Sequence, residues 1–211
     1  MSVLVAFVRE AQPGRVAEVR RALQEHALAA TRRFPGIRVY QVLQGRAQSN
    51  LYIDLVEWES YRAFENARDP LRLAAAEIRH LFLRPAHVRV YRPVEVVRLQ
   101  RREPSAVGVG LIRVRPGAEE EYARRMRELL TTRFRERPGL LAAGLYQGEH
   151  EPQQFLVRNA WETEDHMLAH RAWITQEVFP ATDALVARRE LLALLTRWHY
   201  RQAELASSAP A

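Results

Sequence analysis

The chain contains neither cysteine nor lysine in its 211 residues. Without cysteine there are no disulfides, no thiol nucleophile and no thiolate metal site, which fits a reducing compartment. Without lysine, all 32 basic residues are arginine. Long apolar runs are also missing. No stretch approaches the roughly 18 residues of a membrane span, and the N-terminus lacks a basic-then-apolar leader. These absences lead to the expectation of a cytoplasmic protein with no membrane partner. There is no glycine-rich phosphate loop, dinucleotide fingerprint or Ser-His-Asp spacing, so neither a flavin nor a nicotinamide site is expected, and no bound cofactor.

What is present in excess is positive charge. The formal net charge is +7 and the pI about 10.4. Such a balance can mark a surface for nucleic acid or another anion. The arginines are interleaved with glutamates rather than clustered with aromatics, so solvated helix faces are the expected reading and no nucleic-acid partner is expected.

The strongest pattern is internal. Pro13-Gly14 returns as Pro116-Gly117, Pro35-Gly36 as Pro138-Gly139, Gln44-Gly45 as Gln147-Gly148, and Trp58-Glu59-Ser60 as Trp161-Glu162-Thr163, each 103 residues later. A gap-free repeat of this length reads as a tandem duplication of one supersecondary unit. Residues 1–97 form the first repeat, 98–106 a charged linker, 107–203 the second repeat, and 204–211 a small, polar tail expected to fray.

Within each repeat the hydrophobic period alternates between two and about 3.6. In the first, strands are expected at Ser2–Glu10, Ile37–Gly45, Leu51–Trp58 and His87–Val97. Val16, Val19, Leu23, Ala27 and Ala30 give an amphipathic helix over Arg15–Arg33. A shorter helix, Glu59–Arg68, is expected to break at Asp69-Pro70, with another helical piece over Leu71–Phe82. The second repeat reads as strands Val107–Val114, Leu140–Gly148, Gln154–Trp161 and Leu191–Tyr200. Its helices are Ala118–Arg137 and Glu164–Ala172, the latter followed by a mixed segment. The order β-α-β-β-α-β is ferredoxin-like, and the fold class is α+β.

A four-stranded sheet of this kind carries helices on one face only. In Leu51–Trp58, apolar side chains fall on both parities, so the bare face also needs cover. The expected solution is that the antiparallel sheets of the two repeats pack face to face into an α/β barrel within the chain. Burying ten more large side chains, at about 1.5–3 kcal/mol each, outweighs the slowly growing closure entropy of a short linker. A monomer suffices for this, and a homodimer remains open.

Strand, Pro-Gly turn, amphipathic helix, Pro-Gly, and two strands ending in Trp-Glu-Ser/Thr together resemble the antibiotic biosynthesis monooxygenase superfamily of dimeric α/β barrels. The likeness covers nearly the whole chain. It implies an oxidoreductase, a cofactor-independent monooxygenase of a small aromatic or quinol substrate. The alternative is a non-catalytic small-molecule-binding or structural barrel. The family's tryptophan followed nine residues on by histidine is kept as Trp161 and His170, whereas Ala67 stands nine residues after Trp58. The haem-degrading branch uses Asn, Trp and His at positions held here by Phe7 or Gly110, Ala67 or His170, and Glu77 or Pro180. No residue type is kept, so haem degradation is not expected.

The residues then sort by chemistry. As catalytic residues we take His170 as general base, titrating near neutrality, with Asn159 and the Trp161 indole N–H as donors to a developing oxyanion. His166, Trp173, Phe155, Trp58 and Asp54 are the substrate-binding candidates. His166 and His170 stand four apart on one helix face, but structural and catalytic zinc sites want three or more protein ligands, so no metal is expected. His26, on the apolar side of the first helix, reads as a core histidine. An open pocket beside His170 would favour catalysis, and one filled by Met167 and Trp173 would favour the binding reading. The more polar, better-formed pocket is expected in the second repeat.

Overall fold

The computed structural model describes residues 1–202, so the expected fraying tail lies outside the described residues. The described residues hold eight strands: β1 (Val3–Glu10), β2 (Ile37–Gly45), β3 (Leu51–Trp58), β4 (His87–Arg98), β5 (Ala106–Val114), β6 (Leu140–Gly148), β7 (Gln154–Trp161) and β8 (Val186–Arg201). The helices are α1 (Val16–Arg33), α2 (Tyr61–Glu77), α3 (Glu119–Thr132), α4 (Glu164–Trp173) and the single turn α5 (Phe179–Thr182). The strands close into one hydrogen-bonded barrel in the order β1-β3-β2-β8-β5-β7-β6-β4. This is the α+β, tandem ferredoxin-like arrangement expected from the repeat. No described helix is long and apolar enough to cross a membrane.

Two compact units divide the chain. One comprises Met1–Val90 with the segment from Thr196 onward, the other Tyr91–Leu195, so the division falls inside β4 and inside β8. In the first unit β3 runs antiparallel between β1 and β2, with Val5 and Tyr40 both opposite Val56 and Phe7 and Val42 both opposite Asp54. Helix α1 buries Val19, Leu23, Ala27 and Ala30, the 3.6-residue stripe its sequence carries. Helix α2 is opened by the Ser60 hydroxyl, which accepts from the Ala63 amide at 3.1 Å.

Several boundaries differ from the sequence expectation, among them the end of α3 at Thr132 rather than Arg137. Helix α2 runs unbroken through Pro70 to Glu77. A proline inside a helix costs about 3 kcal/mol, but Phe64, Ala67 and Leu71 form one buried stripe on both sides of it. Burying the Phe and Leu side chains, at about 1.5–3 kcal/mol each, is enough to carry the helix past the break. Strand β8 begins at Val186 rather than Leu191, and its register against β5 shifts between Arg113 and Val114.

In the second unit β7 lies between β5 and β6, and β8 extends β5 on its other edge. Helix α3 buries Tyr122, Met126 and Leu130. Helix α4 is capped by Thr163, whose hydroxyl accepts from the His166 amide at 3.2 Å, and it buries Met167 and His170. The mixed segment expected after α4 is one π-helical turn, Ile174–Val178, leading into α5. Arg125 ties α3 to this segment by donating to the Ala181 carbonyl at 2.9 Å.

Candidate functional site

The register of β7 sets the site in the second unit. Val157, Asn159 and Trp161 alternate along β7 and share one face of the sheet. Opposite Asn159 stand Gly108 on β5 and Ala143 on β6; opposite Val157 stand Gly110 and Leu145. On the far side of β5, Gly108 meets Ala193 and Gly110 meets Leu191. Small residues thus surround Asn159, and a cavity of about 70 Å³ remains there. Its walls include Gly108, Gly110, Met126, Phe134, Asn159, Trp161, Met167, His170 and Ile174.

The first unit fills the equivalent space. Where the second has Gly108, Asn159 and Ala143, the first has Val5, Val56 and Tyr40 in the same register. Where the second has Gly110, Val157 and Leu145, the first has Phe7, Asp54 and Val42. The Asp54 carboxylate there pairs with Arg9 and accepts the Tyr40 hydroxyl at 3.0 Å. Arg9 in turn lies near the rings of Phe7 and Phe82, 5.5 and 5.7 Å from their centroids. Burial pushes the Asp54 carboxyl above its usual range, and the Arg9 guanidinium opposes that shift. Burial, then the Asp54 charge, raises the Tyr40 hydroxyl well above its ordinary value.

His170 sits at the centre of an aromatic cluster in the second unit. The residue is 5% exposed. It lies 4.5 Å from Trp161, 4.8 Å from Trp173 and 5.1 Å from Phe134, centroid to centroid. Neither ring nitrogen finds a hydrogen-bond partner among the described residues, and the same is true of the Asn159 side-chain oxygen and the Trp161 indole N–H. Burial lowers the His170 pKa to about 3, with a further push from the Arg137 charge. Arg137 sits 4.1 Å above the Trp173 ring, on the stack that ends in His170. The expectation of an imidazole titrating near neutrality is therefore corrected: apolar and aromatic walls withhold the solvation that an imidazolium needs.

The structure brings together Asn159, Trp161 and His170 in one cavity, and Trp173 backs His170 from outside the lining set. Met167 lines the space without closing it. Phe155 is buried in the core, 4.9 Å from Tyr122. His166 packs its ring over Gly139, where a β-carbon would overlap it; it does not line the cavity. Trp58 lines a separate, more open groove of about 340 Å³ in the first unit, with Phe34, Ala63 and Ala67. Asp54 lies in the buried Arg9 pair and lines neither space. His26 is half-buried on α1, its pKa lowered to about 4 by burial and then by Arg9. The second unit's cavity is mostly apolar; its polar lining comes from Asn159, Trp161 and His170 together with Arg171, Thr182 and Arg189. Among the described residues no three His, Cys, Asp or Glu side chains converge as a metal site.

Sequence reasoning passed over the residues that make the space. Gly108 and Gly110 alternate inside a strand, and strand glycines mark bulges or places kept open for close approach. The π turn is a second missed feature; such turns recur at functional sites, and Ile174 and Val178 of this one line the cavity.

A helix-covered ferredoxin-like repeat with an apolar cavity between sheet and helices is the architecture of the α/β-barrel class. Comparison with known families gives the class its name. The profile of the antibiotic biosynthesis monooxygenase family matches residues 1–72 and 107–173, and the chain belongs to that family. No curated protein matches it in sequence. Among solved structures, a Fusobacterium nucleatum protein of proposed monooxygenase activity is similar with a TM-score of 0.79 at 13% identity, over 95% of this chain and 94% of that one. A Lactobacillus acidophilus protein, likewise of proposed monooxygenase activity, gives 0.74 at 12% identity over 95% and 96%. An anthrone oxidase-like protein gives 0.74 at 12% identity over 99% and 96%. At these identities the likeness is one of fold.

Proposed function

We propose that the second unit is the working half of a monooxygenase that oxidises a small aromatic or quinol without a bound cofactor. The observation that carries this is the set of unpartnered polar atoms on His170, Asn159 and Trp161 around one apolar cavity. Buried polar groups are normally paired, so four orphan atoms on three residues lining a shared space are matched by a ligand that brings the missing donors and acceptors. Family membership and the anthrone oxidase-like fold neighbour support the reaction class.

The chemistry needs no external reductant. A single-ring quinol loses one hydroxyl proton to solvent to give a phenolate. The phenolate passes an electron to dioxygen, and the radical pair combines at a neighbouring ring C–H carbon into a C–OOH group. Loss of that carbon's proton with hydroxide then leaves a quinone C=O and water. One oxygen atom enters the product and the other leaves as water, so all four electrons come from the substrate. The protein supplies a dry space, the Trp161 N–H and an imidazole N–H for the phenolate oxygen.

The test is oxygen uptake by the purified protein with a panel of dihydroxyphenols and anthrones and no additive. Loss of one oxyanion donor costs on the order of 10²–10³ in rate, so His170→Ala should fall by about a hundredfold. Equal rates in the two proteins would remove His170 from the reaction. A non-catalytic binding reading is favoured by one fact, the pKa of about 3 at His170, which makes it a poor resting base. Ligand binding with no uptake on any panel member would establish that reading instead.

A further inference from the structure

We infer that the cavity of the second unit selects a single-ring hydroxyaryl anion, its negative group at Arg171 and its hydroxyl between Asn159 and the indole N–H of Trp161. This deepens the proposed function and rests on the same site. The argument starts from charge. Arg171 and Arg189 line the cavity, and no carboxylate does. Arg189 is held by Asp183 at 2.5 Å and by the Thr182 hydroxyl at 3.0 Å, with its guanidinium over the Phe179 ring. Arg171 is exposed on α4 and has no ion pair among the described residues. The cavity therefore has an unneutralised cation at its exposed end and none of the acids that would repel an anion.

The buried end complements a hydroxyl. The Asn159 side-chain oxygen lacks a donor and the Trp161 N–H lacks an acceptor. A single aryl hydroxyl donates to the first and accepts from the second. His170 cannot create the anion from a neutral phenol. With an imidazole pKa of about 3 against about 10 for a phenol, proton transfer lies uphill by a factor of roughly 10⁷. The negative group is therefore one already ionised in solution, such as a carboxylate, while the hydroxyl binds protonated; its charge is met by Arg171 and by Arg137 behind the Trp173 ring.

Size narrows the class further. The cavity of about 70 Å³ is smaller than the roughly 150 Å³ known to hold benzene. The space is less than half of that, so even one ring enters only if flexible wall side chains such as Met126 and Met167 swing aside, and a fused polycycle needs far more.

The experiment compares 2,5-dihydroxybenzoate with 2,5-dihydroxybenzamide, equal in shape and differing in charge. Binding is measured by calorimetry at pH 7 under argon, for wild type, Arg171→Gln and Gly108→Val. The expected result is at least tenfold tighter binding of the benzoate. Arg171→Gln should reduce that advantage below about threefold while leaving the amide unchanged, and Gly108→Val should abolish binding of both. Equal affinities, an advantage that survives Arg171→Gln, binding that survives Gly108→Val, or no binding of either compound would each overturn the inference. Oxygen uptake read on the same pair separates the two ideas. Uptake without charge preference keeps the monooxygenase and sinks the anion selectivity; charge-selective binding without uptake does the reverse.

Discussion

The imidazole of His170 stands 4.5 Å from the indole of Trp161, inclined at 46°, and both present unpartnered nitrogens in one apolar cavity. Trp161 anchors the end of β7, and His170 lies on the buried face of α4. Their contact joins the sheet to its covering helix at the position where the first unit has Trp58 and Ala67.

This burial has a measurable titration. The His170 pKa of about 3 lies below the ordinary imidazole value of 6.5. Below pH 6.5 the unfolded chain binds a proton there that the folded chain refuses, so stability is full above pH 6.5 and falls as pH drops toward 3. His26, at about 4, adds in the same direction. NMR of the histidine ring protons should show no His170 titration between pH 5 and 8. In Arg137→Gln its pKa should rise but stay below 6.5, because burial is the larger cause. A midpoint near 6.5 in wild type would contradict the geometry. Turnover, if present, should follow the ionisation of the substrate rather than a histidine of neutral pKa.

The buried Arg9–Asp54 pair gives a stability prediction in the first unit. Their side chains are 4% and 0% exposed. Removing one partner of a buried pair leaves an uncompensated charge and costs about 3–5 kcal/mol. Asp54→Ala should lose about that much in urea unfolding, because Arg9 stays buried without its counter-charge. Replacing both partners with apolar residues should recover most of the loss. A single-variant effect below about 1 kcal/mol would mean that Arg9 reaches solvent when unpaired.

The sequence made the architecture easier to read than the site. The strands came from alternation, α1 from its Val19-Leu23-Ala27 stripe, and the duplication from landmarks that share one offset. Each is a local pattern with many residues behind it. Pro70 misled because a local breaking cost was outweighed by burial on both sides, which only the packed helix reveals. Asn159, Trp161 and His170 meet in space as expected, since one strand parity and one helix face suffice to place them. Asp54 and Trp58 were substrate-binding candidates as well, but Asp54 is taken up by the buried Arg9 pair and Trp58 lines the separate groove of the first unit. The basicity of His170 could not be read from spacing, because it depends on three aromatic rings from α3's end, β7 and α4.

Gly139 links a backbone requirement to His166. Its φ is +72°, a region that a side chain disfavours by roughly 1–2 kcal/mol, and a β-carbon there would also overlap the His166 ring. Gly139→Ala should therefore destabilise by more than the backbone term alone. Gly139→Ala combined with His166→Ala should return part of the loss, since only the conformational penalty remains. A double variant no more stable than the single one would show that the His166 ring has room to move aside.

Gly108 separates folding from function most cleanly. A β-carbon built there comes no closer than 4.0 Å to another residue, and the atom it approaches is Trp161 Nε1. Space for a larger side chain is present in the middle of a strand where glycine is otherwise unfavourable. Val5 occupies the same register in the first unit, opposite Val56 as Gly108 is opposite Asn159. Gly108→Val should therefore fold well and even gain up to about 1 kcal/mol, the span of strand propensities. Its methyl groups would occupy the space beside the Trp161 N–H and the Asn159 amide. Thermal unfolding and oxygen uptake, measured on the same preparation, read the two effects independently. The expected outcome is an unchanged or higher Tm with turnover lost. Full turnover in a stable Gly108→Val protein would show that the reacting ligand does not use this cavity. A collapse in Tm would show that the glycine is needed for β5 itself.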